Sequence, residues 1–319
     1  MKEYNICLCS DDNFTPYMEA LIVSILKHSL DDEKFIFHII TLNFSDNSLK
    51  KIEYLKKIKD FEIKIHKPIN LEKYTKWYND KSGGKWSVHV FLKLDIPIIL
   101  KDIERVLYID SDMIVLGSLK EFFDSDMEGY YIGGVNDLNI SKSHRNKLGI
   151  GYNTNYFNGG LILFNTKKYN EDNIPQKIEE YVNTHEKIFF LEQDILNYLL
   201  KDKIKYFSEN YNFTSAIAKK HNNNIENVII PHFTLVKPLY HNTPIFKNRF
   251  YYEFWKCFVE TKSFKDESLK YAIILIDQND PKIAGHNKLI DKLSWWIPFR
   301  EMRNNFKIKY KRDIKEKFE

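Results

Sequence analysis

Three short apolar runs, separated by two stretches of helical spacing, fill the first 66 residues and narrow the possible folds sharply. Residues 4–9, 35–41 and 61–66 read as strands. Between them, residues 17–29 place Leu21, Ile22, Ile25 and Leu26 at helical intervals, and residues 46–58 form a second helical stretch. A β-α-β-α-β order predicts an α/β fold with a doubly wound, mostly parallel sheet flanked by helices. Such sheets bind ligands beyond the carboxyl ends of their strands. Two acidic loops fall at such ends: Asp11-Asp12-Asn13 after the first strand, and Asp110-Ser111-Asp112 after the apolar run Val106-Leu107-Tyr108-Ile109.

The second loop is chemically pointed. Two carboxylates one residue apart at a rigid strand end repel each other unless a cation sits between them. Their oxygens suit hard divalent ions, which commonly bridge protein carboxylates to phosphates. The competing explanation is a solvated turn in which Asp and Ser cap the next helix.

Further elements follow along the chain. Residues 131–135 and 161–164 read as strands, 175–184 and 189–200 as helices, and 228–230 as a late strand. Gly83-Gly84-Lys85-Trp86 looks like a loop leading into residues 87–100. Periodicity weakens after about Phe264, which divides the chain into a main domain of residues 1–264 and a tail of residues 265–319. Cys7 and Cys9 alternate with Ile6 and Leu8 as core thiols. With only Cys257 besides, no disulfide framework is visible, which favours a reducing cytosol. No signal peptide fits the start, and no run of about 18 apolar residues could span a bilayer.

Three polar clusters could meet a ligand. Asn158-Gly159-Gly160 permits close backbone approach, or is an ordinary tight turn. Glu192-Gln193-Asp194 opens a helix and either binds sugar hydroxyls or simply complements the helix dipole. His232 lies five residues before Lys237. An imidazole there can complete a metal shell and the lysine can neutralise a phosphate, while a satisfied core histidine is the plain alternative.

Taken together, the order and spacing of these motifs resemble the family 8 glycosyltransferases, retaining enzymes of GT-A fold that include bacterial lipopolysaccharide galactosyl- and glucosyltransferases and glycogenin. The resemblance covers roughly residues 4–240. It implies that Asp11 and Asn13 hydrogen-bond uracil or ribose and that Phe14 stacks on the base. It implies that Asp110 and Asp112 hold Mn²⁺ (or Mg²⁺) on the nucleotide diphosphate, with His232 as third protein ligand and Lys237 on the diphosphate. Lys93 stands seventeen residues before Asp110, where the family usually has an Arg touching the donor diphosphate or sugar; Lys keeps that charge but loses the bidentate fork. Asp137, Asn158 and Gly159 fall at sugar-binding positions. Glu192, Gln193 and Asp194 form the catalytic triplet, with Gln193 near the β face of the anomeric carbon. The sequence departs from the family at Glu192 (more often Asp), Leu235 (usually Gly) and Leu239 (usually Trp).

The implied activity is metal-dependent, retaining transfer of glucose or galactose from UDP-glucose or UDP-galactose to a hydroxyl of a bacterial surface glycan: lipooligosaccharide, capsule or glycoprotein. Same-face attack, with the departing phosphate taking the acceptor proton, suits Gln193 better than a covalent intermediate does, because an amide is a poor nucleophile. Two other activities use similar parts. A haloacid-dehalogenase-type phosphohydrolase also ends an apolar strand in Asp-x-Asp, but near its N-terminus and followed by Gly-Thr. A non-catalytic nucleotide-sugar-binding protein would share the cradle alone.

The net charge of +4 is unevenly placed. Residues 282–319 carry eleven Lys/Arg against five Asp/Glu, so the rest of the chain is slightly acidic and a poor match for nucleic acid. In the tail, Trp295, Trp296, Ile297 and Phe299 interleave with Arg300, Arg303, Lys307 and Lys309. That pattern suits an interfacial segment on an anionic membrane, and a packed terminal helix with a solvated basic face is the alternative. The expected location is cytoplasmic, peripheral on the inner face of the cytoplasmic membrane.

Overall fold

The computed structural model describes residues 2–82, 87–221, 226–234, 236–239, 249–279, 302–304 and 306–307. They form two compact units, Met1–Thr234 and Leu235–Glu319. Within the first unit one sheet carries the strands β1 (Lys2–Cys9), β2 (Glu33–Ile40), β3 (Glu62–His66), β4 (Arg105–Ile109), β5 (Ile132–Val135), β6 (Leu161–Asn165) and β7 (Ile204–Phe207). Their order is β3-β2-β1-β4-β6-β5-β7. All neighbours are parallel except at β6, which runs antiparallel to both β4 and β5.

This is the mostly parallel, doubly wound sheet that the alternation predicts, and its reversal point positions the site. The chain leaves β1 toward β2 on one side, and β4 later pairs on the other side of β1. The loops after β1 and β4 therefore emerge side by side at one sheet end. They are the loops that carry Asp11 and Asp110.

The first helix, Thr15–Lys27, has Pro16 in its opening turn and buries all but two of its residues (Pro16 and Lys27). It also anchors the loop that carries Asp110 and Asp112. Ser24 Oγ accepts from Val115 N at 2.8 Å and donates to Leu21 O at 2.6 Å. Cys7, Cys9 and Cys257 are free thiols, and burial, with a hydrogen bond to Cys7, pushes the Cys9 thiol well up.

Several boundaries differ from the sequence expectation. The helical stretch from Asp46 ends as an α-helix at Glu53 and tightens to a 3-10 turn over Tyr54–Lys57. The helix expected from Phe189 begins at Leu191. Residues 228–230 form no strand. Their backbone bonds go to Asn210 and Phe213, and Ile229 O accepts from Leu116 N, while the neighbouring Pro231 and His232 make isolated bridges to Phe213 and Met113. Residues 83–86, Leu235 and the segment 295–300 lie outside the described residues.

The second unit contains the helices Arg249–Phe258, Lys262–Asp266 and Ser268–Asn279. Phe258 packs edge-on against Tyr271, with ring centroids 4.7 Å apart. Lys237 belongs to this unit and is half-buried. No helix among the described residues is long and apolar enough to cross a membrane.

Candidate active site

Asp110 follows directly on β4, and its backbone N–H bonds Gly160 O at 2.8 Å. The chain after it runs beside the segment that bears His232. Phe233 N bonds Asp112 O, Ile114 N bonds Pro231 O, and Leu116 N bonds Ile229 O, at 3.0, 3.3 and 2.7 Å. This backbone ladder brings three side chains from two distant parts of the chain into register. One ligand atom each from Asp110, Asp112 and His232 lie within 4.8 Å of one another. His232 Nε2 is 3.5 Å from Asp112 Oδ1 and 3.8 Å from Asp110 Oδ2.

The histidine is set up as a neutral ligand. Its Nδ1–H donates to Asn212 Oδ1 at 2.8 Å, which turns the lone pair of Nε2 toward the carboxylates. Burial pushes its pKa down to about 4, against the opposing pull of Asp110. Asn212 Nδ2 donates in turn to Asn158 Oδ1 at 3.0 Å, which also accepts from Gly160 N at 3.0 Å. Asn158 Nδ2 reaches Asp137 Oδ2 at 2.8 Å, and Asp137 Oδ1 accepts from Asn139 N at 2.9 Å. A chain of amides thus connects the proposed sugar carboxylate to the proposed metal ligand.

Gly160 shows how tightly the cluster is packed. A Cβ there would lie 2.5 Å from His232 Cε1 and 2.9 Å from both Asp110 Oδ2 and Met113 Cε. Two carboxylate oxygens and one imidazole nitrogen within 4.8 Å of one another suit a small, hard divalent ion such as Mn²⁺ or Mg²⁺.

Lys93 binds the other side of Asp110. Its Nζ donates to Gly159 O and to Glu192 Oε1, both at 3.0 Å, and lies 3.5 Å from Asp110 Oδ1. Burial works against its charge, but Asp110 and Glu192 outweigh that and hold the ammonium well above the ordinary lysine range. Burial raises the Glu192 carboxyl, with Lys93 offsetting part of the rise. The Tyr108 hydroxyl also donates to Asp110 Oδ1.

The Glu192-Gln193-Asp194 triplet divides between two surroundings. Gln193 Oε1 accepts from Gly159 N at 2.6 Å, so it stands in the same network as Lys93. Asp194 is turned elsewhere: Tyr156 OH and His144 Nε2 both reach its Oδ1 at 2.7 Å, and its Oδ2 accepts from Phe190 N at 2.9 Å. Leu191, just before the triplet, takes φ of +45°, in the left-handed region that costs a non-glycine residue about 1–2 kcal/mol. That turn swings the chain into the helix with Glu192 facing Lys93.

At the end of β1, Asp11 Oδ1 accepts from Asn13 N at 3.0 Å. Asp12, which the sequence groups with it, is a structural residue whose Oδ1 accepts from Ser45 N and Ser45 Oγ. Phe14 is 38% exposed, its ring centroid 5.7 Å from Tyr17, so a face remains for stacking. The structure therefore gathers Lys93, Asp110, Asp112, Asp137, Asn158, Gly159, Glu192, Gln193 and His232 into one connected network. Asp11, Asn13 and Phe14 form a neighbouring loop. Sequence reasoning missed Asn212, which no local pattern marks, because it acts on a histidine twenty residues away in the chain.

A family model, "Glycosyl transferase family 8", matches residues 5–238. A putative glycosyltransferase of Haemophilus influenzae is 28% identical over 226 residues, covering 68% of this chain and 66% of its own length. The lipopolysaccharide 1,3-galactosyltransferase of Salmonella typhimurium is 27% identical, covering 66% of this chain and 63% of its own length. This chain thus spans about two-thirds of the length of these relatives. In fold it is similar to the galactosyltransferase LgtC, solved with donor and acceptor sugar analogues. That match has a TM-score of 0.69 and 20% identity, covering 82% of this chain and 99% of the other. The mixed seven-stranded sheet with its flanking helices is thereby the GT-A arrangement.

Proposed function

The chain belongs to glycosyl transferase family 8, and we propose that it is a retaining, metal-dependent transferase that moves a hexose from a UDP-sugar to a hydroxyl of a bacterial surface glycan. Membership displaces the phosphohydrolase alternative. The observation that carries the proposal is the largely buried Asp110–Asp112–His232 cluster at the reversal point of the sheet. A divalent ion bound there would supply Lewis-acid stabilisation of charge developing on the departing diphosphate.

The chain's own residues do the remaining work. Asp110, Asp112 and His232 hold the diphosphate end, and the family resemblance adds Lys237 as a neutralising cation. Asp11, Asn13 and Phe14 take the uridine. Asp137 and Asn158 orient the sugar, each already fixed by a hydrogen bond to the other. Lys93 acts by holding Glu192 and Asp110 in place. Asp194 positions the catalytic helix through its bonds to Phe190 N, Tyr156 and His144.

The same geometry favours attack on the face the diphosphate leaves. A double displacement needs a carboxylate poised at the anomeric carbon. Glu192 is ion-paired with Lys93, and Asp194 accepts three hydrogen bonds. Gln193 supports an oxocarbenium-like state without forming a bond to it. The basic, aromatic residues from Trp295 onward are proposed as a peripheral anchor on an anionic membrane at its cytoplasmic face.

The test is a panel of UDP-sugars incubated with Mn²⁺, read by released UDP and by the anomeric configuration of the product. UDP release with a retained anomer supports the proposal. Inorganic phosphate release, or an inverted product, would refute it. Tight UDP-sugar binding with no turnover on any acceptor would point to a binding protein instead.

A further inference from the structure

We propose that His89 is a specificity residue for the donor nucleotide, reading the edge of the base together with Asp11; the inference rests on the UDP-sugar assignment above. His89 enters the 3-10 segment Val88–Asp95 just after Ser87. Ser87 Oγ accepts from His89 N at 3.3 Å and pairs with His89 Nδ1 at 2.7 Å, which fixes the ring against its own backbone. The far nitrogen, Nε2, is buried and has no hydrogen-bond partner. It faces Asp11 Oδ2 at 3.9 Å, a separation too wide for a direct hydrogen bond. The other Asp11 oxygen is already taken by Asn13 N.

A ring nitrogen and a carboxylate oxygen thus lie 3.9 Å apart, each with hydrogen-bonding capacity left over. A buried polar atom without a partner is costly, and a ligand that supplies one recovers that cost. The tautomer follows from the neighbours. The Asp11 carboxylate 3.9 Å from Nε2 favours the ring proton on that nitrogen, and the Ser87 hydroxyl then donates to Nδ1. The complementary ligand presents an acceptor next to a donor.

Uracil has that edge, with a carbonyl oxygen beside the N3–H. Cytosine presents the reverse, an amino group beside an unprotonated N3, so His89 would face a donor and Asp11 a lone pair. Asp11 alone selects for an N3–H; His89 adds a demand for the adjoining carbonyl. A site built to pair both groups discriminates strongly against an analogue that mismatches them.

The experiment measures UDP and CDP binding by calorimetry in the presence of Mn²⁺, for the full chain and for His89→Ala and His89→Gln. The wild type should prefer UDP. His89→Ala should lose about tenfold in UDP affinity, as for one neutral hydrogen bond, with CDP affinity little changed. His89→Gln, whose amide can donate, should recover part of that loss. With UDP-sugar as substrate, KM should rise while kcat holds. Equal losses for UDP and CDP would place the contact on ribose or phosphate and overturn the proposal. An unchanged UDP-to-CDP ratio would do the same while leaving the UDP-sugar assignment intact. Failure of the wild type to bind either nucleotide would bring down both.

Discussion

Residues that bind nothing themselves set the geometry of the metal cluster. Gly160 leaves the space in which His232, Asp110 and Met113 meet, and Asn212 turns the imidazole so that Nε2 faces the carboxylates. Gly160→Ala should therefore weaken Mn²⁺ binding at least tenfold, because the methyl group must displace His232 or Asp110. Titration with Mn²⁺, alongside a melting curve to confirm the fold, checks this. At this scale the sequence disclosed the Asp110–Asp112–His232 cluster but not its supports. Asp110-Ser111-Asp112 is a contiguous motif, and His232 stands beside a recognisable Lys and Pro. Asn212 lies twenty residues from the histidine it orients, in an irregular segment with no periodicity. Lys93 was legible as a cation near the diphosphate. That its ammonium bonds Gly159 and Glu192 is a through-space fact.

Elements explain how the loops are held still. The helix Thr15–Lys27 contributes Ser24, which satisfies the buried N–H of Val115 beyond the metal loop. Ser24→Ala leaves that donor unpaired and should cost about 1–3 kcal/mol in denaturant unfolding, with Mn²⁺ affinity falling in parallel. In the sheet, β2 and β3 share a histidine pair. His66 Nε2–H donates to His38 Nδ1 at 3.0 Å, and His38 Nε2–H donates to Asn5 Oδ1 at 3.0 Å. Burial lowers the His38 pKa from 6.5 to about 4, and the His66 charge adds to the effect. The unfolded chain then binds more protons between those values, so stability rises with pH across that window. Stability should fall as pH drops from about 6.5 toward 4, by at most roughly 3 kcal/mol from this residue. His38→Asn should flatten that slope in unfolding curves taken at successive pH values. β1 to β3 were readable because apolar runs alternate with helical spacing. β7 was not, since Lys205 and Tyr206 interrupt its short span at a sheet edge. The apolar run at residues 228–230 looks like a strand, yet its backbone bonds are shared between two loops.

For the molecule as a whole, the sheet order gives function its place. Because β4 pairs on the opposite side of β1 from β2, two acidic loops far apart in sequence become neighbours. The alternation placed both loops at carboxyl ends of strands; that they are neighbours follows from the sheet order, which alternation does not specify. The proposed membrane anchor belongs to a different part of the chain, where net charge and aromatic spacing carry the argument. Deleting the chain from Trp295 should abolish binding to anionic vesicles in a sedimentation assay and spare UDP release; undiminished vesicle binding would refute the anchor. The proposed function requires that Asp110, Asp112 and His232 hold a divalent ion on a UDP-sugar. Its most direct test is Mn²⁺-dependent release of UDP by the wild type and by Asp112→Asn. The prediction is release that a chelator abolishes and added Mn²⁺ restores in the wild type, and that is lost in the variant while the fold persists. Wild-type turnover by folded Asp112→Asn, or turnover indifferent to the chelator, would contradict it.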